Sequence, residues 1–155
     1  MTATNELSGM FTSHHFLHGL EERHRLLLAS GARPFKAGPG QLLLRQGQEA
    51  DAFYLIQSGQ VALSVTTPRG EEVPIQNVRP GEVVGWSWVV PPHRWQYNGR
   101  AVQEVQGIAF NAQWLHDLHE RDNSLGYHLL RQLVTAMAER MAATCRQLTG
   151  QGTSA

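Results

Sequence analysis

Sixteen residues hold the side chains best placed to meet a ligand. They are Pro80-Gly81-Glu82-Val83-Val84-Gly85-Trp86-Ser87-Trp88-Val89-Val90-Pro91-Pro92-His93-Arg94-Trp95, with three of the chain's four tryptophans, three of its seven prolines, two glycines and one arginine. Plain connections are polar, and loops of unusual composition are where scaffolds place function. Arginine suits bidentate recognition of carboxylate or phosphate, and indoles stack on aromatic ligands or fill a core. The stretch reads as a ligand pocket.

Other reactive patterns are weaker. His14 and His18 are four apart and share a helix face, but no Cys or Asp nearby completes a ligand set, so His14, His15, His18 and His24 read as solvated surface residues. His116 and His119, with Asp117 and Glu120 beside them, read as a polar helix face. A metal-dependent cupin needs clustered His and carboxylate ligands on adjacent strands, and the strand region contains only His93. Ser58 and Ser87 have no recognisable base. Neither an enzyme nor a metal protein is expected.

The 155 residues suit one domain with a single core, and 41% hydrophobic content is ordinary for a soluble chain. Thirteen basic residues balance thirteen acidic ones, so no global field draws the chain to nucleic acid or an anionic membrane. Cys145 is the only cysteine, which excludes an intrachain disulfide. With no membrane-length apolar run and no signal peptide, the expected location is cytoplasmic.

These residues need a frame. Residues 7 to 30 read as helical, with Leu17, Leu20, Leu26, Leu27 and Leu28 as the apolar stripe and Gly31 as the stop. From 33 to 110 short strands alternate with glycine turns, which predicts an antiparallel jelly-roll β-barrel in a mainly β chain with flanking helices. Ser58-Gly59 reads as a two-residue turn, Val61, Leu63 and Val65 as one strand face, and Pro74 as an edge or bulge. Asn111 caps a short helix, and Asp122-Asn123-Ser124 offers a cap for a long one from about 125 to 148. Leu130, Val134, Met137, Met141, Thr144 and Leu148 form a heptad-like seam on it, and Leu125, Leu129 and Leu133 a second row. The two rows leave open whether the helix serves the barrel alone or also an interface. One domain over 1–149 is expected, with 150–155 as a disordered tail.

This arrangement resembles the cyclic-nucleotide-binding domain of the catabolite-activator and Fnr type. The resemblance rests on Pro39-Gly40-Gln41-Leu42-Leu43-Leu44-Arg45-Gln46-Gly47, on Phe53-Tyr54-Leu55-Ile56-Gln57-Ser58-Gly59-Gln60-Val61, and on Pro80-Gly81-Glu82-Val83-Val84-Gly85. It implies a phosphate-binding cassette after the third glycine turn, in which backbone amides and an arginine hold a cyclic phosphate and a glutamate reads the ribose. Gly85 matches the cassette glycine. Trp86 stands where the glutamate belongs, and indole, with one donor and no acceptor, cannot replace it. Arg94 matches the phosphate arginine; Arg100, followed by Ala101, is the competing register. Trp95 replaces the small residue expected after the arginine.

The resemblance therefore implies a regulatory domain with a non-standard cassette of Gly85, Trp86, Ser87, Arg94 and Trp95. Its ligand is expected to be nucleotide-like or anionic rather than tightly held cyclic AMP or cyclic GMP, with no other cofactor. The indoles fill the pocket, stack on a different ligand or belong to the core, and Trp88 is assigned to the core. Output is expected through the helix 125–148, to a homodimer partner or another protein. Family regulators carry a helix-turn-helix after that helix; with none in this sequence, direct DNA binding is not expected. The alternative is a ligand-free interaction or dimerisation module that keeps only the fold.

Overall fold

The computed structural model describes residue 9 and residues 14–150. Eight strands form two antiparallel four-stranded sheets. One has the order β1 (Arg33–Ala37), β8 (Val105–Asn111), β3 (Ala52–Ser58), β6 (Val83–Val84); the other has β2 (Leu42–Leu44), β7 (Asn98–Ala101), β4 (Val61–Thr66), β5 (Glu72–Val78). Leu55, Ile56, Ile108 and Phe110 from the first and Leu44, Val61 and Leu63 from the second belong to a single core cluster. This is the expected jelly roll, built as two facing sheets; no ladder among the described residues closes it into a continuous barrel.

Local chemistry explains the strand details. In β4, Val61 and Leu63 are buried as alternation requires, but a bulge between Leu63 and Ser64 flips the phase, so Ser64 is buried and Val65 only half-buried. Ser64 pairs opposite Pro74, which has no N–H to give the ladder, and β5 is the edge strand of its sheet. The buried Ser64 hydroxyl is satisfied by Glu72 at 2.6 Å. Ser58-Gly59 does not close a hairpin: β3 and β4 lie in different sheets, and Gly59, at φ 82°, passes the chain between them. A Cβ there would sit 2.2 Å from the Glu104 carbonyl oxygen, so only glycine fits.

Three helices cover the roll: α1 (Glu22–Ala29), α2 (Ala112–Arg121) and α3 (Asn123–Leu148). The Asn111 side chain caps α2 through the Trp114 amide at 3.0 Å, and Asp122 caps α3 through the Leu125 amide at 3.1 Å. Leu125, Leu129 and Leu133 are fully buried and fix α3 to the roll, whereas Val134 and Met141 of the heptad-like seam are 64% and 69% exposed. The second row is thus the roll contact. No helix of the described residues is long and apolar enough to cross a membrane.

Of the helix expected over 7 to 30, residues 7, 8 and 10–13 lie outside the described residues, as does 151–155 of the tail. From His14 onward the segment is a 3-10 turn at His15–Leu17 and then α1, separated by Gly19 at φ 83°. Two of the four histidines are not on the surface. His14 is 2% exposed; its Nδ1 accepts from the Phe16 amide at 3.1 Å, which leaves Nε2 as the donor to the Ile56 carbonyl at 2.9 Å. His24 is buried beside Arg23 and Asp122. Ile56 and Asp122, the partners that lie far along the chain, are contacts that spacing within one segment cannot reveal.

Burial holds His14 below its ordinary value of 6.5, and burial likewise lowers His119. A histidine depressed in the folded state binds its proton more readily when unfolded. Its stabilising contribution is therefore full above about pH 6.5 and is lost as pH falls through the folded value. Melting temperature should be flat from neutral to mildly alkaline pH and fall on acidification below 6.5, and His14→Gln should flatten that slope. An unchanged slope in His14→Gln would show that other groups carry it.

Candidate functional site

The segment expected to form the cassette begins where β6 ends. Gly85 is buried with φ 95° and ψ 50°, and it turns the chain into a 3-10 turn, Trp86–Trp88. A Cβ on Gly85 would lie 2.9 Å from Trp95 Cη2 and 3.2 Å from the Ala52 carbonyl oxygen. The Trp95 indole, 4% exposed, therefore lies directly against the glycine. Its backbone is zipped to the turn after β2: Trp95 N–H donates to the Gln48 carbonyl at 2.8 Å, Gly47 N–H to the Trp95 carbonyl at 2.9 Å, and Ala50 N–H to the His93 carbonyl at 2.8 Å. Neighbouring side chains of an extended segment point to opposite sides, so Trp95 facing inward puts Arg94 outward. Arg94 is exposed and donates to the Gly47 carbonyl at 3.0 Å. Arg100, the competing register, is also exposed and donates to the Gly40 carbonyl at 2.8 Å.

The five expected site residues thus divide. Gly85, Ser87 and Trp95 are buried, Trp86 is half-buried edge-on against Tyr97 with centroids 6.0 Å apart, and Arg94 is outside. Trp88 is 1% exposed, a core residue as assigned. Its ring meets Phe53 of β3 at 5.8 Å and both His116 and His119 of α2, at 5.5 and 5.7 Å. The expected polar face of α2 is therefore half-buried on its histidine side. Among the described residues, no group of three or more His, Cys, Asp or Glu is arranged to hold a metal.

Sequence reading missed the residues by which α3 reaches the cassette. Arg140 donates from Nη2 to the Val83 carbonyl at 2.8 Å, two residues before Gly85. Burial pulls its guanidinium down, while Glu82 and Tyr97 pull it back up. One turn on, Gln76 of β5 donates to the Arg140 carbonyl at 2.7 Å and to the Thr144 hydroxyl. The available signal was an arginine and a threonine four apart within an otherwise apolar helix stripe. A cleft of about 550 Å³ opens between β5 and the end of α3, and a pocket of about 70 Å³ lies between Arg140 and the N-terminal turn.

The cyclic nucleotide-binding domain family matches residues 34–122, more than half of the chain and all of it from β1 to the end of α2. The chain belongs to this family. A cyclic nucleotide-binding domain from Methylobacillus flagellatus KT has the same fold, with a TM-score of 0.81 at 18% identity, over 96% of this chain and 85% of that one. The sensor domain of the transcriptional regulator DNR from Pseudomonas aeruginosa is similar as well, with a TM-score of 0.71 at 22% identity, over 92% and 95%. By sequence, 58 residues are 43% identical to the acetyltransferase Pat of Mycolicibacterium smegmatis; they make up 37% of this chain and only 17% of that protein.

Within this cyclic nucleotide-binding domain, the backbone of the cassette turn keeps a left-handed glycine at its start, but an indole covers it. Gly85→Ala should lower the melting temperature, because the left-handed backbone costs about 1–3 kcal/mol for a non-glycine residue and the methyl meets Trp95. Adding Trp95→Leu should recover part of the loss. A Gly85→Ala protein as stable as the wild type would contradict this packing.

Proposed function

We propose that the chain is a regulatory sensor domain that admits a nucleotide-like or anionic ligand at its non-standard cassette and transmits the event through α3. The hydrogen bond from Arg140 to the Val83 carbonyl carries this reading, since any shift of β6 or of the Gly85 turn changes the acceptor that holds the helix. Gln76 adds a second tie between edge strand β5 and α3. The likeness to sensor and regulatory domains supports the same assignment. Ligand entry displaces Trp95 from Gly85, and Trp86, half-buried against Tyr97, offers a stacking face.

Cyclic AMP and cyclic GMP are poor fits. A ribose hydroxyl finds no acceptor on Trp86, and Arg94 must leave the Gly47 carbonyl to reach a phosphate. Tryptophan emission and thermal melting should respond saturably to one member of a panel of cyclic AMP, cyclic GMP, cyclic dinucleotides and simple nucleotides, and Arg94→Ala should weaken that response. Silence toward the whole panel would favour the second reading, a ligand-free association module.

The seam of α3 specifically supports a partner for the helix under either reading. Val134 and Met141 are mostly exposed, Leu130 and Met137 are exposed beside them at three- and four-residue spacing, and Leu148 is exposed two turns after Met141. A second copy of the chain supplies the same seam, so a parallel homodimer is the proposed assembly. Sedimentation should find a dimer that Val134→Glu with Met141→Glu converts to a folded monomer. A wild-type monomer at high concentration would exclude it.

A further inference from the structure

The cleft between β5 and the end of α3 has a composition that the fold alone does not require. Arg79, on the turn after β5, and Arg146, in the last turns of α3, both line it, and both guanidinium groups are without a hydrogen bond or ion pair among the described residues. Glu82 is the only acid in the lining, and its carboxylate already accepts from the Arg79 backbone amide at 2.7 Å. The cleft thus presents two uncommitted cations in a chain whose formal net charge is +0. Pro74 and Ile75 form an apolar wall, and Asn77 and Gln147 add amide groups.

We propose that this cleft is an anion site, separate from the cassette, that takes an organic phosphate monoester of mononucleotide size through Arg79 and Arg146. Two planar guanidinium forks match the oxygens and double charge of a terminal phosphate better than the single charge of a cyclic diester. The volume of about 550 Å³ lies in the range of small-ligand sites and leaves room for a ring against Pro74 and Ile75. One arginine stands on the roll and the other on α3, so a bound phosphate bridges the two. That bridge would fasten the C-terminal turns of the helix, beyond the point where Gln76 already holds Arg140 and Thr144.

The test is calorimetric titration of the full chain with AMP, adenosine, cyclic AMP and inorganic phosphate at low salt. AMP should bind, cyclic AMP and inorganic phosphate more weakly, and adenosine not measurably. Arg79→Gln and Arg146→Gln should each weaken AMP roughly tenfold, as lost charge-assisted hydrogen bonds do. Both arginines are exposed, so the variants should melt like the wild type. Glu82→Gln, which keeps the acceptor for the Arg79 amide and removes the one negative charge, should tighten AMP several-fold; a purely structural arginine pair would show no such gain. Arg94→Ala should leave AMP binding intact, and tryptophan emission should stay unchanged, which separates this site from a cassette ligand. The proposal is overturned by failure of AMP to bind at millimolar concentration, by equal affinity for adenosine, or by AMP binding that survives in the double arginine variant.

Discussion

The burial of Trp88 is the contact on which the rest of the structure depends. This indole belongs to the cassette turn, yet its ring is packed against Phe53 of β3 and the two imidazoles of α2. It also shares a small apolar space with Phe16 of the N-terminal turn and Leu129 and Leu133 of α3. Sheet, cassette and helix layer therefore meet in one piece of core. Protein interiors are close-packed, so the three elements bear on one another through this shared core. The cost is visible in the polar atoms: Trp88 Nε1 and His119 Nε2 are buried without hydrogen-bond partners among the described residues. Such unpaired groups weaken a seam, and burial lowers the pKa of His119.

From this core the two outward faces of the domain differ in character. Toward β2 the cassette is sealed, because the backbone of 93–95 is zipped to 47–50 and the Trp95 ring occupies the space above Gly85. Toward β5 the domain is open, with an edge strand, a bulge at Pro74 and a cleft lined by polar and charged groups. Between them Arg140 crosses from α3 to the Val83 carbonyl of β6. A domain built this way has its closed surface over Gly85 and its accessible surface along α3.

Much of this was legible in the sequence because it depends on local rules. The glycine turns, the Asn111 and Asp122 caps, the alternation at Val61 and Leu63 and the defect at Pro74 all depend on chemistry within a few residues. Trp88 could be assigned to the core from its position two residues after Trp86 in a turn. What escaped depends on partners far along the chain. His14 is buried because the Ile56 carbonyl, 42 residues away, takes its proton donor. Arg94 faces outward because an isolated bridge to Glu49 sets the phase of an otherwise irregular segment. Arg140 reads as one more surface charge until β6 is folded against α3. Which of the two apolar rows on α3 served the roll was likewise undecidable, since both have helical spacing.

Amide hydrogen exchange tests the central claim, that cassette and helix layer share one core and open together. Leu129→Ala removes side-chain volume from the space next to Trp88 without touching the cassette backbone. Exchange should then accelerate in parallel for the first turns of α3 and for the amides of 85–89, with strand β5 much less affected. Faster exchange in α3 alone, with the cassette amides as slow as in the wild type, would contradict the account.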